Sequence, residues 1–167
     1  MNGLNRIIIH WTAGSWTPND IDKQHYHFLI TGNGKVVLGK FKPEDNINCK
    51  DSKYAAHCGG GNTGSIGVAV CGMLEYKNPR EQGIYPLRGV QLESMFNLVA
   101  QICKKYKIEI NSANVMTHKE FGEKHPDTSS AGKIDICFLP LFPSVQPEKV
   151  GDFIREKVLW YYNKEGV

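Results

Sequence analysis

The sequence predicts one α/β domain over residues 1–167, with a central mixed β-sheet flanked by helices, and three observations carry that expectation. Two short runs, Arg6-Ile7-Ile8-Ile9-His10 and Ser65-Ile66-Gly67-Val68-Ala69-Val70, are apolar at consecutive positions, as strands buried on both faces are. From Gly89 to Tyr106 the apolar residues Leu92, Met95, Phe96, Val99, Ile102, Cys103 and Tyr106 recur at three and four, the stripe of an amphipathic helix. Asn33-Gly34 separates two further apolar runs, the mark of a hairpin, so one strand pair is antiparallel and the sheet is mixed.

In chain order, the first strand ends at His10, and Thr12-Ala13-Gly14 turns the backbone where it surfaces. Ligands collect beyond the carboxyl ends of strands in open α/β sheets, so His10 stands in a favoured place. Thr17-Pro18-Asn19-Asp20-Ile21-Asp22 reads as the capped start of a short helix. Tyr26 to Ile30 reads as a strand, Thr31 to Gly34 as the turn, and Lys35 to Gly39 as the returning strand. Residues 40–54 are polar and mixed, a loop, and Tyr54 to His57 a short extended piece. The glycine-rich Cys58 to Gly64 lacks the Gly-Lys-Ser/Thr ending of a phosphate loop, and no helical pattern follows it.

After the second buried strand, residues 73–88 with two prolines form a long loop leading to the amphipathic helix. Ala113 to Thr117 is a short strand that again runs into a histidine, His118. Residues 119–140 show no periodicity and are rich in Gly, Ser, Asp and Pro, so they read as surface loop. Pro147 opens a last helix with Val150, Phe153, Ile154, Lys157, Val158 and Tyr161 on one stripe.

Composition narrows the function classes. A formal charge of +3 without a basic run gives no footprint for nucleic acid, though it suits an anionic polymer. No run of about 18 apolar residues is present to span a membrane. The start carries no charged leader with an apolar stretch, so the chain reads as made in the cytoplasm without a signal peptide. Five scattered cysteines without Cys-x-x-Cys spacing read as free thiols. Cys58 beside His57 is a poor hydrolase pair, because neighbours on extended backbone face opposite ways.

Two strand-ending histidines, His10 and His118, converge if their strands are neighbours. Imidazole is the commonest zinc ligand, and a catalytic zinc typically takes three protein ligands. The third must come from the loop after His118, where His125, Asp127, Asp135 and Cys137 are candidates that spacing alone does not separate.

Six pieces, taken in order, resemble the zinc-dependent N-acetylmuramoyl-L-alanine amidases of the type-2 amidase group, which share their fold with peptidoglycan-recognition proteins. They are Ile7-Ile8-Ile9-His10-Trp11-Thr12-Ala13, Tyr26 to Ile30 with Gly32-Asn33-Gly34, Ala56-His57 with Asn62, Ser65-Ile66-Gly67-Val68 with Gly72, Gln91 at the helix start, and Thr117-His118 before the last loop. The resemblance implies Asp135 as the third ligand, since it lies two residues after Lys133 and three before Phe138. It implies catalytic roles for Tyr26 and Lys133, which belong to the phage-lysozyme branch of the group. The glutamate of the recycling branch is replaced by Ala69. It also implies His57 and Asn62 on the groove rim as substrate-binding residues. The expected activity is zinc-dependent cleavage of the amide between N-acetylmuramic acid and L-alanine, by a monomer delivered to the cell wall as an endolysin. A muropeptide-binding module without catalysis and a cytosolic muropeptide-recycling amidase are the alternatives.

Overall fold

The computed structural model describes residues 3–164. Five strands form one sheet in the order β3-β2-β4-β1-β5, with β1 at Arg6–Trp11, β2 at Phe28–Ile30, β3 at Val36–Leu38, β4 at Ser65–Val70 and β5 at Val115–Thr117. The pairs β1–β4, β1–β5 and β2–β4 are parallel, while the β2–β3 hairpin is antiparallel. Four α-helices accompany the sheet: α1 at Asp20–His25, α2 at Gly89–Tyr106, α3 at His118–Lys124 and α4 at Val150–Lys164. Among the described residues no helix is long and apolar enough to cross a membrane.

The triple isoleucine of β1 is divided between two cores by the two-residue period of a strand. Ile7, Ile9 and Trp11 join Val68, Val70, Met95, Phe96, Val99 and Ile154 under α2 and α4, whereas Ile8 packs with Cys58, Met116 and Phe121 on the opposite face. His10 follows the parity of Ile8, so its side chain leaves the main core and enters the face covered by α3 and the glycine-rich segment. Fully burying one such aliphatic side chain contributes about 1.5–3 kcal/mol, and both faces of β1 do so.

The amphipathic stripe from Gly89 to Tyr106 is helical over that span. Buried Gln91 ties its start to the sheet, with Nε2 donating to the Ile30 and Cys71 carbonyls at 3.2 and 2.8 Å. The hairpin turns at Gly34, whose φ of +85° is the left-handed conformation that glycine adopts without strain.

Three local expectations change. The strand read from Tyr26 begins at Phe28, because α1 runs to His25 and Tyr26 is its C-cap. The polar stretch after residue 40 contains a 3-10 turn at Pro43–Ile47. The segment expected to be loop from residue 119 starts as α3, capped by Thr117: its hydroxyl accepts from Glu120 N–H at 3.1 Å, and the Glu120 carboxylate accepts from Thr117 N–H at 3.0 Å. Arg155 of α4 clamps that Glu120 with two hydrogen bonds of 2.9 Å. A methyl group at Gly151 would fall 1.9 Å from Glu120 Oε1, so glycine there lets α4 come this close.

Candidate metal centre

Strand register brings the two histidines together. Ile9 of β1 lies beside Thr117 of β5 in a parallel pair, so His10 and His118 follow at the same level of the carboxyl edge. Asp135 completes the group: its carboxylate lies 2.9 Å from His10 Nδ1 and 3.2 Å from His118 Nδ1. One ligand atom from each of the three lies within 4.8 Å of the others. Asp135 is held from both sides, its carbonyl accepting from Lys119 N–H at 2.7 Å and its successors Ile136, Phe138 and Leu139 buried. The Asp135–Ile136 peptide is cis.

The remaining loop candidates lie elsewhere. Cys137 turns its thiol to the Tyr76 hydroxyl at 3.8 Å, His125 packs its ring on Phe121 at 4.3 Å between centroids, and Asp127 is exposed. Two imidazole nitrogens and one carboxylate at a buried point opening to a cleft fit a catalytic zinc, which keeps a free position beside three protein ligands.

The charges of the group are coupled. Burial favours the neutral form of His118, but hydrogen bonding to Asp135 outweighs it and raises the imidazole to about 9 in the metal-free protein. Burial works against the Asp135 anion too, yet the two histidines hold it down to about 2. His10 and His57 are lowered chiefly by burial, and His27 by the same cause to about 4.

These shifts fix the pH dependence of the metal-stripped protein. His118, raised from its ordinary 6.5, contributes stability that is full below pH 6.5 and lost as pH rises through about 9. His10, His27 and His57, depressed from 6.5, cost stability as pH falls below 6.5. Asp135, depressed from 3.8, gives up its contribution as pH falls through about 2. Melting of the chelated protein should therefore peak near pH 6.5 and decline more steeply on the acid side. Zinc should remove the decline between pH 6.5 and 9, because the cation replaces the His118 proton. Alkaline decline of equal size with and without zinc would contradict this coupling.

His118 and Asp135 line a cleft of about 770 Å³ together with Trp11, Tyr26, Tyr76 and Lys133, while His10 is fully buried. Tyr26 stands with its ring centroid 5.0 Å from that of His10. Burial, then the Asp135 charge, pushes its phenol up, so it stays protonated and has a proton to donate. Lys133 is exposed at the mouth. Asn62 borders the cleft, but its carboxamide oxygen is committed to the N–H groups of His57 and Cys58 at 2.9 and 2.8 Å.

His57 lines the cleft but is mostly buried, with Nδ1 3.0 Å from His10 Nε2 and only 6% of the residue exposed. The reason is Gly67 of β4, whose missing side chain leaves room for the ring: a Cβ there would lie 2.6 Å from His57 Cγ. Sequence reasoning also passed over Ser130, fully buried, whose hydroxyl lies 3.0 Å from His118 Nε2. Nothing in its Gly-Ser-rich surroundings marked it.

Comparison with known proteins agrees with this geometry. The family described as N-acetylmuramoyl-L-alanine amidase (Amidase_2) matches residues 2–133, ending two residues before Asp135. Peptidoglycan-recognition protein SD of Drosophila melanogaster is 27% identical over 139 residues, covering 72% of this chain and 68% of its own. The structure of PlyL aligns with a TM-score of 0.53 at 17% identity, over 93% of this chain and 84% of its own. The N-acetylmuramyl-L-alanine amidase AmiD from E. coli aligns with a TM-score of 0.53 at 18% identity, over 92% of this chain and 57% of that one. At these identities the structural likeness establishes the fold.

Proposed function

We propose that this chain, which belongs to the N-acetylmuramoyl-L-alanine amidase family, hydrolyses the amide between N-acetylmuramic acid and L-alanine in peptidoglycan with zinc as its cofactor. The observation that carries the reading is the convergence of His10, His118 and Asp135 on one point, with His118 and Asp135 lining the cleft. When bound there, zinc supplies a Lewis acid that polarises a carbonyl and lowers the pKa of water to about 7. The chain's own residues do the rest. Trp11 and Tyr76 give the cleft apolar walls against which a peptide stem can pack. Tyr26 donates from its phenol toward the reacting centre, and the Lys133 ammonium stabilises the negative charge that develops on the carbonyl oxygen.

A binding module without catalysis would need no intact ligand set, whereas this cleft keeps all three ligands. The Tyr26 and Lys133 pair, with Ala69 where the recycling branch carries glutamate, favours a lytic endolysin over a recycling enzyme. In that role the cytoplasmic product meets the wall only after release. Digestion of Gram-negative sacculi should produce new L-alanine amino termini and no new reducing sugar ends, and a chelator should stop it. Cells accumulating the protein should lyse only when the inner membrane is breached. New reducing ends would instead identify a glycosidase, and release of stem peptides with free L-alanine amino termini in the presence of chelator would exclude the zinc reading.

A further inference from the structure

Given the zinc reading above, we infer that His57 and Ser130 are positioning residues that fix the ring tautomers of His10 and His118, so that each offers a bare Nδ1 to the metal site. Both assignments begin at a backbone carbonyl, which can only accept a hydrogen bond. His57 Nε2 lies 3.4 Å from the Ser65 carbonyl, so its proton sits on Nε2 and its Nδ1 is a lone pair. That lone pair is 3.0 Å from His10 Nε2, which must therefore be the donor. With zinc in place, the neutral His10 ring then has no proton on Nδ1, the nitrogen that faces Asp135 at 2.9 Å.

The second relay has the same form. The Ser130 hydroxyl donates its only proton to the Gly59 carbonyl at 2.7 Å and so must accept from His118 Nε2–H at 3.0 Å. Once zinc has displaced the second proton of the ring, His118 Nδ1 is left bare, 3.2 Å from Asp135. In the zinc-loaded protein, where the cation has displaced the second His118 proton, two nitrogen lone pairs and a carboxylate thus face one point, with the remaining ring protons directed to His57 and Ser130. Such a set of acceptors is satisfied by a cation. Reversing either ring would set lone pair against lone pair at one end of its relay, inside a buried site where such a mismatch is costly. Gly67 belongs to the first relay, because the His57 ring occupies the space a Cβ would take.

Zinc affinity, measured by competition with a chromophoric chelator, tests this beside melting of the metal-stripped proteins. His57→Leu and Ser130→Ala should each weaken zinc binding by about 10–100-fold. His57→Asn, whose side-chain oxygen falls near the position of the lost Nδ1, should recover most of the affinity. A merely structural role would lower melting in all three without separating Asn from Leu. Long-range nitrogen-15 spectra of the loaded wild-type protein should place the His57 proton on Nε2. Wild-type affinity in His57→Leu, equal weakness in His57→Asn, or a proton on His57 Nδ1 overturns the first relay. If His57→Leu fails to fold, Ser130→Ala, which removes one oxygen, and Gly67→Ala, which displaces the ring, decide the matter. A wild-type protein that binds no zinc would sink the zinc reading and this inference with it.

Discussion

Asp135→Ala is expected to purify without zinc and to leave sacculi intact, while Cys137→Ser and His125→Ala keep both metal and activity. The carboxylate is the only anion in the group and touches both imidazoles, at 2.9 and 3.2 Å. Removing it leaves two neutral nitrogens, too few for a catalytic zinc site. Metal content by mass spectrometry and turnover on sacculi, measured on the same samples, give the readout. The loss should exceed the two to three orders of magnitude typical of deleting one oxyanion donor. The two controls matter because thiolate is the softer ligand, so ligand chemistry alone favours Cys137. Its thiol instead faces Tyr76 and packs against the main core. An active, zinc-loaded Asp135→Ala beside an empty Cys137→Ser would mean that the loop is seated one ligand further along.

The features legible in the sequence share one property: each is a pattern long enough to repeat. The stripe from Leu92 to Tyr106 repeats through about four turns, and the helix has the bounds that stripe predicts. The strands at Ile7 and Ile66 are continuous apolar runs, and the parallel register of β1 with β5 then sets His10 and His118 at one edge. The helix α3 has only seven residues, too few to show a period. Its signal was a different one, Thr117 followed at the third place by Glu120, which is a capping box. Reading those two residues would have placed His118 at a helix start.

The supporting shell of the site was hidden for a more general reason. Two-residue alternation relates neighbours within one strand, but His57 and Ser130 lie on irregular backbone that no period describes. The clue to His57 lay on another strand, in Gly67 between Ile66 and Val68, where a glycine in a buried run marks close approach by something else. Asp135 was separated from the other loop candidates only by the family resemblance, whose ligand stands at these offsets from Lys133 and Phe138, and the structure supplies their physical content. Phe138 is an anchor in the main core, and Lys133 lines the same cleft as the ligand.

Lys133→Ala should lower turnover by about 10²–10³ while zinc content and melting stay near wild type. The side chain is exposed and its loss leaves no cavity, so folding has little reason to change. Its ammonium shares the cleft with the ligand group, and its charge is among those that lower His10, after burial and the charge of His118. That field is small in the resting protein, because solvent screens an exposed charge. It grows when substrate fills the cleft and displaces water, which is when the carbonyl oxygen gains charge. The effect should therefore fall on kcat more than on KM, since the interaction strengthens in the transition state. Tyr26→Phe, which removes only a neutral donor, should show a smaller loss in the same assay. Loss of zinc from Lys133→Ala would reassign the lysine to the metal site, and turnover near wild type with zinc in place would reduce it to a solvated surface charge.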